Sequence, residues 1–449
     1  MPQQLLFLEL NEINFDYVAS YVGRGGLPTL GRLIHRNGVA RTVSEQRYED
    51  LEPWIQWVTA HTGLPLAAHG VFRLGDIVKR DLPQVWDQLE SHGFTVGAIS
   101  PMNATNRLRQ AAFFVPDPWT ATPPAATPRL AALYRGIAQA VNENAQSRIS
   151  PRSLAGLLAG FAAYARPANY GSYLRLAASS PRCPWRKALV LDLLLADVFV
   201  GEVRRTSPDF ASLFLNAGAH IQHHYLYSSP CYDGPHRNPD WYLPAGADPV
   251  LESYALYDRI VGQVIAAFPD ARIMVATGLH QDPHDRVTYY WRLREHAAFL
   301  SRIRIECRRV EPRMSRDFLV VCDSAAQAAR AEARLAGATA ADGSPLFAID
   351  NRGSDLFVEL VYAGEIGPGF TFSIDGETFT GLDRDVAFVA LKNGRHNGIG
   401  YFLDSAASPD SLPAPEFPLA EIHSRILDAF NAAGCGTPAG SAAAAASGR

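Results

Sequence analysis

Glu52-Pro-Trp-Ile-Gln-Trp-Val-Thr-Ala-His-Thr62-Gly-Leu-Pro-Leu-Ala-Ala-His69-Gly-Val71 is the stretch on which the reading of this chain turns. Trp54 to Thr62 reads as a helix stopped by Gly63 and Pro65. The segment then closes as Thr-Gly, five residues, His-Gly-Val. His69 is placed to bond backbone and order that turn. Trp54 and Trp57, three apart on one helix, read as core. Glu52 stands at the expected helix N-terminus, where a carboxylate suits the helix dipole.

Working outward, Leu5–Leu10 is a continuous apolar run with a polar exit, Asn11-Glu12-Ile13-Asn14. Such a run fits a central strand buried on both faces. Leu27–Ile34 and Val85–Leu89 read as helices, and Phe94–Ile99 as a strand. The order predicts an α/β fold, a mostly parallel central sheet with helices on both faces. Phe210–Leu215 and Arg272–Ala276 continue the strands, with the helical period of Pro249–Phe268 between them.

The expected organisation is a core segment at 1–104, a helical insertion or cap at 105–205, and a second core segment at 206–299. A small α+β subdomain at 300–382 and the end of the core at 383–434 follow. The Gly/Ala/Ser-rich tail at 435–449 is expected to be disordered. His280-Gln-Asp282-Pro-His284-Asp285 is read as a polar loop, and Lys392–Gly398 as a glycine turn between two strands.

The chain has 449 residues, 47% hydrophobic and 19% charged, with a formal net charge of −4. Those are ordinary globular values, and the charge argues against a nucleic-acid partner. Five separated cysteines without a Cys-x-x-Cys pair suit free thiols in a reducing compartment. The Leu5–Leu10 run is too short for a signal peptide, and Asp192 and Asp197 interrupt the longest apolar stretch, so no membrane span is expected. The expected location is a bacterial-type cytoplasm. The oligomeric state is not legible.

Four segments, taken in order, resemble the alkaline phosphatase superfamily, most closely its type I phosphodiesterase/nucleotide pyrophosphatase branch. They are Leu5–Leu10 with its polar exit, Thr62-Gly to His69-Gly-Val, Phe214-Leu-Asn216-Ala-Gly-Ala-His220, and His396 after a glycine turn. The resemblance covers roughly residues 5–100, 208–285 and 385–430. It implies a site at strand ends where two zinc-type ions, held by Asp and His, activate a Thr or Ser nucleophile.

Carried over by position, the first-strand aspartate falls on Asn11, with Glu9 and Glu12 nearby. The nucleophile falls on about Pro53, with Glu52 beside it. The aspartate of the Asp-x-x-x-His element falls on Asn216, its histidine is His220, and the terminal histidine is His396. The Asp-His pair that ends the next strand falls on Gly278-Leu279, close to His280 and Asp282. Amides bring no charge to a dication, so the pattern implies loss of the two-metal site.

The resulting expectation is a divergent hydrolase or transferase acting on a phosphate-type ester, such as a phosphodiester of a small molecule or glycan. Glu52, Glu12, His220 and His396 are its candidate catalytic residues, and Asn11, Asn216, His280 and Arg47 its candidate substrate contacts. At most one divalent ion, zinc or manganese, is expected on His220, His396 and Asp282, or none. His223 and His224 share a helical face with His220. The rival expectation is a pseudoenzyme, a binding protein that keeps the fold without the two-metal chemistry.

Overall fold

A computed structural model of the chain describes residues 3–142, 150–313, 316–408 and 416–430. The expected tail at 435–449, with Cys435, lies outside them. Ten strands frame the site: β1 (Leu5–Leu10), β2 (Ala40–Val43), β3 (Val96–Ile99), β4 (Phe113–Val115), β5 (Phe210–Leu215), β6 (Arg272–Ala276), β7 (His280–Leu293), β8 (Val386–Asn397), β9 (Ile399–Asp404) and β10 (Glu416–Pro418).

Eight of them form one sheet in the order β10-β2-β9-β6-β1-β5-β3-β4. β1 lies parallel between β5 and β6, with Leu5 opposite Phe210 and Arg272. β9 alone runs against its neighbours, β2 and β6.

Alternation along β1 divides the core. Leu6, Leu8 and Leu10 point into one cluster with Tyr257, Leu193 and Ile260. Leu5 and Phe7 point into the other, with Trp57, Trp86 and Ile422. Helices therefore cover both faces, as a sheet buried on two sides requires. Glu9 falls on the Trp57 side, and its carboxylate is held by His61 Nε2 at 2.9 Å.

Seven helices matter below: α1 (Pro53–Thr62), α2 (Pro128–Asn142), α3 (Pro151–Tyr164), α4 (Tyr170–Ser179), α5 (Arg186–Thr206), α6 (Ala217–Tyr225) and α7 (Pro249–Ala267). α2 to α5 occupy the segment expected to be helical, and β4 within it extends the sheet edge.

Two expectations are corrected. His280–Asp285 is the start of β7, not a loop, and Lys392–Asn397 is the end of β8, not a turn. The two strands pair antiparallel as a separate ribbon, Asn397 opposite His280 and Val386 opposite Leu293. β-Bulges near Phe388 and Lys392 interrupt the register. The described residues between 294 and 385, which join the far ends of the ribbon, build their own core around Phe318, Leu335, Leu356 and Phe372.

Candidate active site

The site forms where β1 leaves the sheet. The ladder runs past its end, since Asn11 N–H donates to Leu215 O at 3.0 Å and Glu12 N–H to Thr277 O at 3.0 Å. Glu12 then turns with φ +60, a conformation that residues other than Gly, Asn and Asp seldom adopt. Its carbonyl accepts from Gln222 Nε2 at 2.8 Å. Backbone bonds on both sides thus fix where the Glu12 side chain goes.

The Glu12 carboxylate is buried among donors. Oε2 lies 3.3 Å from His223 Nε2 and 3.2 Å from His396 Nε2. The two imidazole nitrogens are themselves 3.3 Å apart. Gln281 Nε2 also donates to Oε2, and Asn11 Nδ2 donates to Oε1 at 3.0 Å. Burial pushes the Glu12 carboxyl up, but the two imidazoles outweigh it and hold it far below the ordinary carboxylate range. Burial lowers His396, and the Glu12 charge more than reverses this, so His396 is raised.

The position of α6 selects His223. Gly218 sits so close to Ile13 and Tyr257 that a Cβ there would come within 2.3 Å of Ile13 Cδ1. At the helix start, buried Asp192 accepts from Ala217 N–H at 2.7 Å and from Tyr257 Oη at 2.6 Å. Desolvation raises this carboxyl to about 6. Held in this way, α6 aims Gln222 and His223 at β1. His220 lies exposed, its ring packed edge-on against His224 at 5.0 Å.

Beside the charged cluster stands a neutral one. Asn11 Nδ2 also donates to Asn216 Oδ1 at 2.8 Å, and Trp57 Nε1 donates to Asn11 Oδ1 at 2.7 Å. The fully buried Trp57 ring faces Gly278, where a Cβ would meet the indole at 3.1 Å. These are the positions at which the family resemblance expects anionic ligands. Asn11, Asn216 and Trp57 bond to one another through neutral groups, Asn11 also donates to Glu12, and an indole fills the room next to them. A second dication does not fit here.

One ion fits the charged cluster. Metal bonds of about 2.0–2.1 Å in tetrahedral geometry put donor atoms about 3.3–3.4 Å apart, close to the separations among Glu12, His223 and His396. Two imidazoles and a carboxylate suit zinc, or a manganese- or iron-type ion. Outer contacts orient the ligands: Gln281 and Asn11 on Glu12, and the Leu51 carbonyl on His396. Among the described residues these three form the one group of His, Cys, Asp and Glu with that closeness.

Several candidate residues lie elsewhere. Asp282 stands outside the Glu12–His223–His396 group; it accepts from His280 at 3.1 Å and from Asn397 at 2.7 Å. His280 has both ring nitrogens engaged, the other with Ile399 O at 2.6 Å, so it braces the ribbon instead of facing substrate. Arg47 is exposed and tied to Glu49. Asn11 and Asn216 are bonded to each other.

Glu52 is at the site. Its Oε2 lies 3.8 Å from His396 Nδ1, and desolvation raises its carboxyl. His69 does order its turn: Nδ1 accepts from Val71 N–H at 3.0 Å, and burial lowers the ring to about 4.

A cleft of about 390 Å³ opens against His396, walled by Tyr48, Leu51, Asp282, Arg395 and Asn397. Arg395 is exposed there and forms no salt bridge among the described residues. Sequence reasoning missed Arg395, His223 and Gln281. Only His223 carried a signal, its place in the His220–His224 cluster.

No family model matches the chain, and no curated protein does. Solved structures do. It is similar to phosphonoacetate hydrolase from Sinorhizobium meliloti 1021 in complex with phosphonoformate, at 14% identity and TM-score 0.46, over 95% of this chain and 96% of that one. It is also similar to murine ectonucleotide pyrophosphatase/phosphodiesterase 5, at 10% identity and TM-score 0.44, covering 96% and 95%. A TAB5 alkaline phosphatase mutant with Mg bound in its M3 site shares 9% identity at TM-score 0.41, covering 96% and 98%.

Proposed function

We propose that the chain is a hydrolase or transferase of a phosphate-type ester, with its chemistry centred on Glu12, His223 and His396. The observation that carries the reading is the triangle of donor atoms, 3.2–3.3 Å on each edge, at the carboxyl end of a central strand of a mostly parallel sheet and beside a cleft. Substrates fitting a cleft of about 390 Å³ are small molecules or the end of a glycan. Arg395 supplies the cation for a phosphoryl oxygen.

Glu12, His223 and His396 would hold one divalent ion, which when bound would polarise a phosphoryl oxygen. The chain's own groups do the rest. Glu12 orients both imidazoles. Glu52, with a raised carboxyl pKa, keeps a proton at higher pH than an ordinary glutamate and can give it to a departing oxygen. Pro53 offers no nucleophile, and no Ser, Thr or Cys lines the cleft among the described residues. The reading takes water or an alcohol from solution as the acceptor.

The Trp57–Asn11–Asn216 network favours a second reading, a binding protein that has kept the cleft. Elemental analysis of purified protein, with turnover of an aryl phosphodiester panel, separates the two. The enzyme reading expects about one ion per chain and turnover that chelation removes and zinc or manganese restores. Protein that stays inactive with and without either ion leaves the binding reading.

A further inference from the structure

The helical segment carries a surface that the site does not use. α3 has one charged residue in fourteen, Arg152, and α4 one in ten, Arg175. Their inward faces are defined by close packing. Gly156 and Gly160 abut α2, where added Cβ atoms would meet Ala132 O at 2.5 Å and Leu133 at 2.6 Å. Phe161 of α3 packs on Tyr173 of α4, ring centroids 4.7 Å apart.

The opposite faces are open. Leu154 is 49% exposed, Leu158 63%, Tyr170 47% and Leu174 72%. Ala155, Ala159 and Ala162 are exposed between them. Solvated helix faces normally carry charge; these carry leucine and alanine on both helices.

The helical segment itself is rich in basic residues. Residues 105–205 hold thirteen Arg and Lys against five Asp and Glu, in a chain whose net charge is −4. Four of those acids, Asp117, Asp192, Asp197 and Glu202, are buried. Arg152, Arg175, Arg182 and Lys187 are exposed and make no salt bridge among the described residues.

From these observations we infer that the exposed faces of α3 and α4 dock on an anionic lipid membrane surface. An apolar face rimmed by Arg and Lys is the composition that lies in the interface plane. A second copy of the chain would bring two like-charged basic rims together, which opposes self-pairing. No helix among the described residues is long and apolar enough to cross a membrane, so the mode is attachment and not spanning.

Flotation of the full chain with vesicles tests this, comparing phosphatidylcholine alone with phosphatidylcholine containing 30% phosphatidylglycerol by design. Binding is expected to the anionic vesicles only, and to weaken as salt rises. Leu158→Gln with Leu174→Gln should lower partitioning more than about tenfold, and Arg152→Gln with Arg175→Gln about fivefold for each charge removed. All four positions are exposed, and an unchanged Tm confirms that the variants fold.

Failure to float with anionic vesicles overturns the inference, as does floating that these substitutions leave intact. A concentration-dependent dimer abolished by Leu158→Gln would reassign the face to self-association. Salt-sensitive binding to duplex oligonucleotide that outcompetes vesicles would reassign it to nucleic acid. A chain that floats but turns over no phosphodiester breaks the proposed function and leaves this inference standing.

Discussion

Two polar groups meet at the carboxyl end of β1, joined through the Asn11 side chain, and they are built on opposite terms. Glu12, His223 and His396 keep a buried charge and set donors around it. Asn11, Asn216 and Trp57 carry none and bond to one another through neutral groups, while Asn11 also gives one N–H bond to the Glu12 carboxylate. The neighbouring positions thus separate what a one-ion site needs from what a two-ion site would have needed. Amides at 11 and 216 with Trp57 packed against Gly278 leave no charge and no room there, so the difference from a two-ion arrangement is one of packing as well as of chemistry.

The largest effect should come from breaking the charged group. Glu12→Gln or His223→Ala is expected to lower metal affinity and phosphodiester turnover more than about a hundredfold, since outer contacts of such sites already contribute 10–100-fold. Titration with zinc and steady-state kinetics check it.

Next is Asn11→Asp. The new carboxylate would face acceptor oxygens on Glu12 and Asn216, both now served by Asn11 Nδ2. A loss of about 2 kcal/mol is expected in denaturant unfolding. A second tightly bound ion in an Asn11→Asp/Asn216→Asp variant would break the claim that Trp57 fills that space. Trp57→Phe sharpens the same point: it removes the donor to Asn11 and should destabilise by about 1 kcal/mol while leaving affinity for the first ion within about twofold.

A smaller, pH-dependent effect should appear in chelated protein. Glu12 is held below its ordinary 4.5, so its contribution is present above that value and fades as pH falls toward the depressed one. His396 is held above its ordinary 6.5, so its contribution is full below 6.5 and fades as pH rises past the raised value. Their joint contribution peaks between 4.5 and 6.5. Tm differences between wild type and Glu12→Gln should follow that window, and a difference independent of pH would remove the ion pair. Smallest of all is His220→Gln, expected within about 0.5 kcal/mol in stability and silent in metal titration.

The sheet was readable because its central strands are continuous apolar runs. Phe210–Leu215 and Arg272–Ala276 fall where the sequence places them, as does the helix that Gly63 stops. The ribbon was not readable. His280–Asp285 is too polar to look like a strand, since it pairs with β8 away from the sheet.

Glu12 and His396 stood out by their positions, yet their partner did not. His220, His223 and His224 share a helical face, and the choice among them rests on how Gly218, Asp192 and Tyr257 rotate α6. Such long-range packing leaves no local trace. Arg395 resembled any surface arginine until the cleft gave it an address.

Glu12 holds its place against its own backbone. A residue with a side chain at φ +60 costs roughly 1–2 kcal/mol that glycine would not incur. Mutational drift, left to itself, therefore runs from glutamate toward glycine or asparagine at this codon. In laboratory evolution of the gene under selection for thermal stability alone, position 12 should be among the first to change, and under selection for turnover it should be among the last.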